Sequence, residues 1–250
     1  MKEKALLFAN ERAFDAPVKE ALLSDGVLLL PYNNIYTWIR RIGAGRTVLL
    51  DGSRTNYAIT ASIPGSVKVV NEANPTQLMK AVKNPVEVAN IRRAHVKDGV
   101  AVTRFMYWLK KRAAVARVAG AEVITDEEGA PLTELSVAEK LASFREEQED
   151  YRGPSFETIA GFGPHGAIIH YSATPETDSR LGVDEFLLVD SGGQYPQGTT
   201  DITRTFVLGE VDEEHKKYFT MVLRGCLNLA AARFLHGCRG TNLDYLCRQP

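Results

Sequence analysis

The chain has 250 residues, 44% hydrophobic and 24% charged, enough apolar mass for one large or two small globular domains and too much for a mainly disordered chain. A formal net charge of −1 offers no basic field for nucleic acid and no polybasic stretch for a membrane, so small molecules or proteins are the expected partners. No run approaches the ~18 apolar residues of a membrane span, and Met1-Lys2-Glu3-Lys4-Ala5-Leu6-Leu7-Phe8 lacks the apolar core and cleavage site of a secretory leader; a cytoplasmic location is expected.

Residues 1–83 alternate short aliphatic runs with helical patterns. The runs are Ala5-Leu6-Leu7-Phe8, Val27-Leu28-Leu29-Leu30, Thr47-Val48-Leu49-Leu50 and Val67-Lys68-Val69-Val70, and the alternation predicts an α/β layer structure. No glycine-rich phosphate loop opens a helix, so a nucleotide site has no support.

A domain boundary is expected at 83/84. Lys83-Asn84-Pro85-Val86-Glu87 supplies an Asn N-cap, a Pro in the first helical position and a Glu three residues after the cap, a helix start. Val88, Ile91, Val102, Phe105, Met106 and Leu109 then keep helical spacing, with Arg92, Arg93, Lys97, Lys110, Lys111 and Arg112 read as a solvated face. The box Ser136-Val137-Ala138-Glu139 predicts a second helix running to the charged stretch 145–150.

From Ser155 the pattern changes to strands, expected at Phe156–Ala160, Ala167–Tyr171, Phe186–Asp190 and Thr200–Val207. Asp212-Glu213-Glu214 opens a helix reaching about Leu235, and Gly240–Asp244 begins another. Cys226, Cys238 and Cys247 lack the paired spacing of zinc or redox sites and are expected to be buried thiols.

The chemistry concentrates on two carboxylates. Asp190 closes one strand and Asp201 lies in the next, with turn-rich Ser191–Gly198 between them. A hairpin with its midpoint between Tyr195 and Pro196 would set the two directly opposite, with Cβ atoms roughly 5 Å apart. A carboxylate pair so placed shares a proton or holds a cation, and hard oxygen ligands suit divalent metals such as Mn, two of which can hold a bridging hydroxide. The alternative is structural: Asp190 ending a strand and capping a turn, and Asp201 pairing with Arg204 or a threonine at the surface. His170 follows Ala167-Ile168-Ile169, at a strand end lining the same core. It is either an ordinary satisfied histidine or a proton-transfer group; His165 is read as a loop residue.

Ser155-Phe156-Glu157-Thr158-Ile159-Ala160-Gly161-Phe162-Gly163-Pro164-His165-Gly166-Ala167-Ile168-Ile169-His170-Tyr171, followed by Asp190-Ser191-Gly192-Gly193-Gln194-Tyr195 and Gly198-Thr199-Thr200-Asp201-Ile202-Thr203-Arg204-Thr205, resembles the aminopeptidase P (Xaa-Pro aminopeptidase) group of the pita-bread metallopeptidases. The resemblance implies an α/β (α+β) chain in two parts. Residues 1–83 would be part of a creatinase-N-terminal-like α/β domain, and residues 84–250 the first half of a pita-bread catalytic domain.

It further implies removal of the N-terminal residue from peptides with proline in second position, two divalent metal ions (Mn), and a homodimeric full-length protein. Carried over by motif, Asp190 and Asp201 match the two Asp ligands, with Asp201 bridging both metals. His170 matches the substrate-binding histidine that steadies the tetrahedral intermediate. The family's ligand His and two ligand Glu have no match in these residues, so a chain truncated at both ends and catalytically silent by itself is expected. Two rival readings are a non-catalytic relative that acts in binding and a retaining glycosidase using the Asp pair, which a chelator would not inhibit.

Overall fold

The computed structural model describes residues 5–250; Met1–Lys4, which open the segment read above for a leader, lie outside them. The chain divides into two compact units, Met1–Lys83 and Asn84–Pro250.

The first unit is α/β. Strand β1 (Ala5–Ala9) runs through helix α1 (Ala16–Ser24) to a parallel partner, β2 (Val27–Pro31), followed by α2 (Asn34–Arg40). The pattern repeats with β3 (Thr47–Leu50), α3 (Tyr57–Ala61) and parallel β4 (Lys68–Asn71), before α4 (Pro75–Ala81). Parallel neighbours need a crossover, and the intervening helices supply it. The four aliphatic runs fall on these strands. Burial is thin: Ile39 and Val67 are its buried apolar side chains among the described residues.

The second unit begins with α5 (Pro85–Val118), 34 residues long, or about 50 Å at the usual rise. Its start is fixed as the sequence predicts: Asn84 Oδ1 accepts from Glu87 N–H (2.9 Å) and Glu87 Oε2 accepts from Asn84 N–H (2.8 Å). The buried stripe differs from the predicted one. It is Ala94, Asp98, Ala101, Phe105, Leu109, Ala113 and Ala116, while Met106 is exposed. Small residues let the sheet approach the helix closely, so the larger aliphatics flank the contact. Nor is the basic face wholly solvated: Lys97 pairs with Asp150 (3.1 Å), and Arg112 Nε donates to Thr125 O.

Helix α6 (Glu134–Glu146) starts ahead of the predicted box. Thr133 is the N-cap and Ser136 closes the reciprocal pair as its N3 residue. The core joins Phe105 and Leu109 of α5, Val137, Leu141 and Phe144 of α6, and the inner face of an antiparallel sheet ordered β10-β7-β6. These strands are β6 (Ile159–Phe162), β7 (Phe186–Ser191) and β10 (Ile202–Val207). A second small sheet joins β5 (Gly153–Pro154), β8 (Gly193–Tyr195) and β9 (Gly198–Thr199). Helices α7 (Glu213–Ala231) and α8 (Gly240–Arg248) follow, and α7 leaves Tyr218, Val222, Leu223 and Leu227 exposed.

Two further expectations fail. Ala167–Tyr171 is not a strand: residues Gly163–Ala167 form a 3-10 turn, followed by irregular chain with Ile168 and Ile169 exposed. Gly161 explains the fold-back, because a Cβ there would fall 2.9 Å from the backbone of His165 and Gly166. Cys226 and Cys238 are exposed and Cys247 half-buried: Cys226 stands on α7, Cys238 in the turn between α7 and α8, and Cys247 on α8, whose backbone there packs against Gly225 of α7.

Candidate metal centre

Strand β7 alternates strictly. Leu187, Val189 and Ser191 are buried in the core, and Phe186, Leu188 and Asp190 take the other face, as a period of two requires. Across the ladder Asp190 is paired with Thr203 on β10 and with Ile159 on β6. The predicted direct opposition of Asp190 and Asp201 is therefore corrected. Tyr195 pairs with Gly198, so the hairpin turns between Pro196 and Gln197. Moving the midpoint by one residue shifts the register by two, which preserves the face and changes the partner.

Asp201 stands just before β10 rather than inside it, next to Ile202, which is paired with Ser191. It precedes by two the residue opposite Asp190. Such diagonal neighbours lie on one face, with Cα atoms on the order of 7–8 Å apart in a regular ladder.

Both Asp residues are held by a buried polar neighbour. Ser191, beside Asp190, accepts from Arg145 Nη2 (3.1 Å). Arg145, 1% exposed, also donates through Nε (2.6 Å) and Nη2 (3.1 Å) to the two oxygens of Asp98, which is 0% exposed. Tyr195 adds its hydroxyl to Asp98 Oδ1 (3.2 Å); burial, then the Asp98 charge, pushes its phenol up, so it remains a donor. Thr200, beside Asp201, is likewise buried. Its Oγ1 accepts from Gly193 N–H (2.8 Å), its N–H donates to Gly193 O (3.0 Å), and its carbonyl accepts from Ser155 Oγ (2.9 Å). Gly192 makes this possible, because a Cβ there would lie 1.9 Å from the Thr200 carbonyl oxygen.

Asp190 Oδ1 is buried and has no hydrogen-bond partner among the described residues. An orphaned buried acceptor costs about 1–3 kcal/mol, which a cation would offset. Asp201 is exposed. Among the described residues it forms no ion pair with Arg204, whose Nη1 donates instead to Thr203 O (2.8 Å). Two carboxylates on one face, one of them lacking a donor, fit a hard divalent ion. Among the described residues no group of three or more His, Cys, Asp or Glu converges on a common point, so Asp190 and Asp201 do not close a coordination shell by themselves.

His170 is exposed and has φ +57°. It is carried by the long connection between β6 and β7, whose 3-10 turn packs against Leu188: a Cβ on Gly166 would sit 3.5 Å from Leu188 Cβ. Leu188 shares its face of β7 with Asp190. Sequence reasoning assigned no role to Asp98, Arg145 or Glu134. Their signal is a charged residue in register with a buried stripe, as Asp98 is between Ala94 and Ala101.

Residues 89–250 match metallopeptidase family M24, and residues 1–87 match the creatinase/prolidase N-terminal domain. The chain is 39% identical over 208 residues to aminopeptidase P1 of Arabidopsis thaliana, covering 80% of this chain and 32% of the relative. It is 37% identical over 224 residues to the Xaa-Pro aminopeptidase ApepP of Drosophila melanogaster, covering 89% and 34%. It thus spans about a third of the length of these curated relatives. Among solved structures, X-prolyl aminopeptidase from Caenorhabditis elegans, described as a cytosolic enzyme with a di-nuclear active site, superposes with a TM-score of 0.83 at 30% identity, over 99% of this chain and 39% of that one. X-Pro aminopeptidase from Thermotoga maritima shares the fold at a TM-score of 0.63 and 20% identity, over 98% of this chain and 62% of that one. The fold class is the expected one, part of a pita-bread fold with a creatinase-N-terminal-type α/β unit, and the chain belongs to metallopeptidase family M24.

Proposed function

We propose that this chain supplies the first part of a two-metal aminopeptidase site that removes the N-terminal residue from peptides with proline in second position. The observation that carries the reading is the buried Oδ1 of Asp190, without a hydrogen-bond partner among the described residues, on a face shared with Asp201. Family membership and the naming of relatives as Xaa-Pro aminopeptidases support it.

Asp190 and Asp201 would hold the metals, with manganese as the ion. Bound there, two divalent ions supply Lewis acidity and a hydroxide nucleophile at neutral pH. The chain's own residues do the rest. The Arg145–Ser191 and Thr200–Gly193 contacts fix the carboxylate-bearing backbone. His170 donates to the substrate carbonyl oxygen as charge develops, an electrostatic role. Cytoplasmic residence is proposed with it: the C. elegans enzyme is described as cytosolic, and Cys226 and Cys238 are free and exposed, as a reducing compartment permits.

The test is Mn2+ titration into residues 1–250 by calorimetry, with release of the N-terminal residue from an Xaa-Pro peptide followed in parallel. Two carboxylates leave most coordination positions to water, so weak binding abolished by Asp190→Asn, and no turnover, are expected. A longer polypeptide that completes the ligand set should gain metal-dependent turnover, faster on Xaa-Pro than on Xaa-Ala. Binding indifferent to Asp190→Asn, or turnover by residues 1–250 alone, would overturn the proposal.

A further inference from the structure

Glu134, the first residue of α6, is fully buried and takes no part in the carboxylate pair. Its oxygens accept from Phe162 N–H (2.7 Å), Ser179 N–H (3.1 Å) and the Tyr171 hydroxyl (2.9 Å), and lie 2.9 Å from His165 Nδ1. The His165 ring stacks on Tyr171, with centroids 4.4 Å apart and planes at 29°. Ser179 Oγ approaches the same nitrogen of His165 at 3.4 Å. A serine activated by a Glu-oriented histidine needs the opposite ring nitrogen, so a nucleophilic relay is excluded and the cluster holds structure.

What it holds is specific. Phe162 and Ser179 bracket the first part of the β6–β7 connection, and His165 and Tyr171 lie within it. Between them Ile168, Ile169 and His170 are exposed, so nothing in that stretch anchors itself by burial except Tyr171. His170, immediately before Tyr171, takes the left-handed conformation, which a non-glycine residue keeps only where its surroundings over-determine it. We infer that Glu134, with His165, is a positioning pair: one buried carboxylate clips both ends and the middle of this first part of the connection and thereby sets where His170 stands. The functional half of this inference rests on the proposed role of His170; the structural half does not.

The experiment has two arms. In residues 1–250, amide hydrogen exchange is compared between the wild type and Glu134→Gln, which keeps the shape but turns an amide NH2 towards one pair of donors. Because a change at a fully buried site can unfold the unit, His165→Phe, which keeps the stack and deletes the donor, is run beside it. Exchange across 163–178 should accelerate roughly tenfold or more, the loss of one charge-assisted hydrogen bond, while Ala101–Ala113 of α5 changes less. His165→Gln, which retains a donor, should restore much of the protection. Uniform acceleration through α5 and the sheet in both variants, or none anywhere, would overturn the clip. In the second arm a turnover-competent longer polypeptide carrying His165→Phe should lose kcat with little change in KM, in proportion to the loss seen for His170→Ala. Local exchange as expected with kcat unchanged would leave the clip standing and remove its link to catalysis. Failure of His170→Ala itself to lower kcat would instead sink the assigned role of His170.

Discussion

Replacing Asp98 with Ala tests the interior of the second unit most directly. Asp98 and Arg145 are 0% and 1% exposed, and the carboxylate accepts from Nε, Nη2 and the Tyr195 hydroxyl. Removal leaves a guanidinium buried with Ser191 Oγ as its one remaining partner among the described residues. Breaking such a pair from one side costs about 3–5 kcal/mol, which for a unit of this size lowers Tm by roughly 6–20 °C. The pair itself need not be stabilising: replacing both charges by apolar groups, Asp98→Leu with Arg145→Met and Tyr195→Phe to remove the hydroxyl left without an acceptor, should cost little or raise stability by about 1–4 kcal/mol.

The assay is urea and thermal unfolding of residues 1–250 in a Trp38→Phe background. Fluorescence then reports Trp108, which packs beside Phe105 in the second unit. If Asp98→Ala costs under about 1 kcal/mol, within the range of an exposed pair, the description of a desolvated network is wrong. A triple variant as unstable as Asp98→Ala would show that specific geometry, not desolvation, dominates.

Asn84→Ala removes the reciprocal cap of α5 and should cost about 1 kcal/mol, read as a lower urea midpoint with unchanged slope. Gly192→Ala drives a methyl onto the Thr200 carbonyl and Ser155 Oγ; overpacking of about 1–3 kcal/mol should come with loss of Mn2+ binding, because Thr200 carries Asp201, and intact binding would refute that coupling. The start of α7 should be pH-sensitive on both sides. The His215 N–H holds the Asp212 carboxyl below its ordinary 3.8, so that contribution is present above 3.8 and lost as pH falls through the lowered value. The Asp212 side chain raises His215 above its ordinary 6.5, so that contribution is complete below 6.5 and lost as pH rises through the raised value. Amide protection at 216–219, corrected for intrinsic exchange, should therefore peak between about 4 and 6.5; a monotonic profile would contradict the pairing.

The sequence by itself determined the features whose cause is local. Asn84-Pro85-Val86-Glu87 marks a helix start because the cap and its partner are three residues apart, within reach of each other in any folded context. The four aliphatic runs of residues 1–83 mark strands because β-branched and leucine side chains of that run length have few other places to go. Motif order singled out Asp190, Asp201 and His170 as candidates; of these, Asp190 and Asp201 keep the expected strand face because alternation survives a register shift of two, while His170 lies on an irregular connection rather than at a strand end.

Tertiary structure decided the rest. The hairpin midpoint depends on which two residues make the turn, and Pro196-Gln197 displaced it from Tyr195-Pro196, so Asp190 faces Thr203. Ala167-Ile168-Ile169 has the composition of a strand, but the 3-10 turn at Gly163–Ala167 folds back against Gly161, and among the described residues the segment pairs with no strand. Asp98, Arg145 and Glu134 look like surface charges in sequence. Each is buried because a partner far along the chain, Arg145 for Asp98 and Phe162, Tyr171 and Ser179 for Glu134, satisfies it in space, and a window of neighbouring residues contains no trace of such a partner.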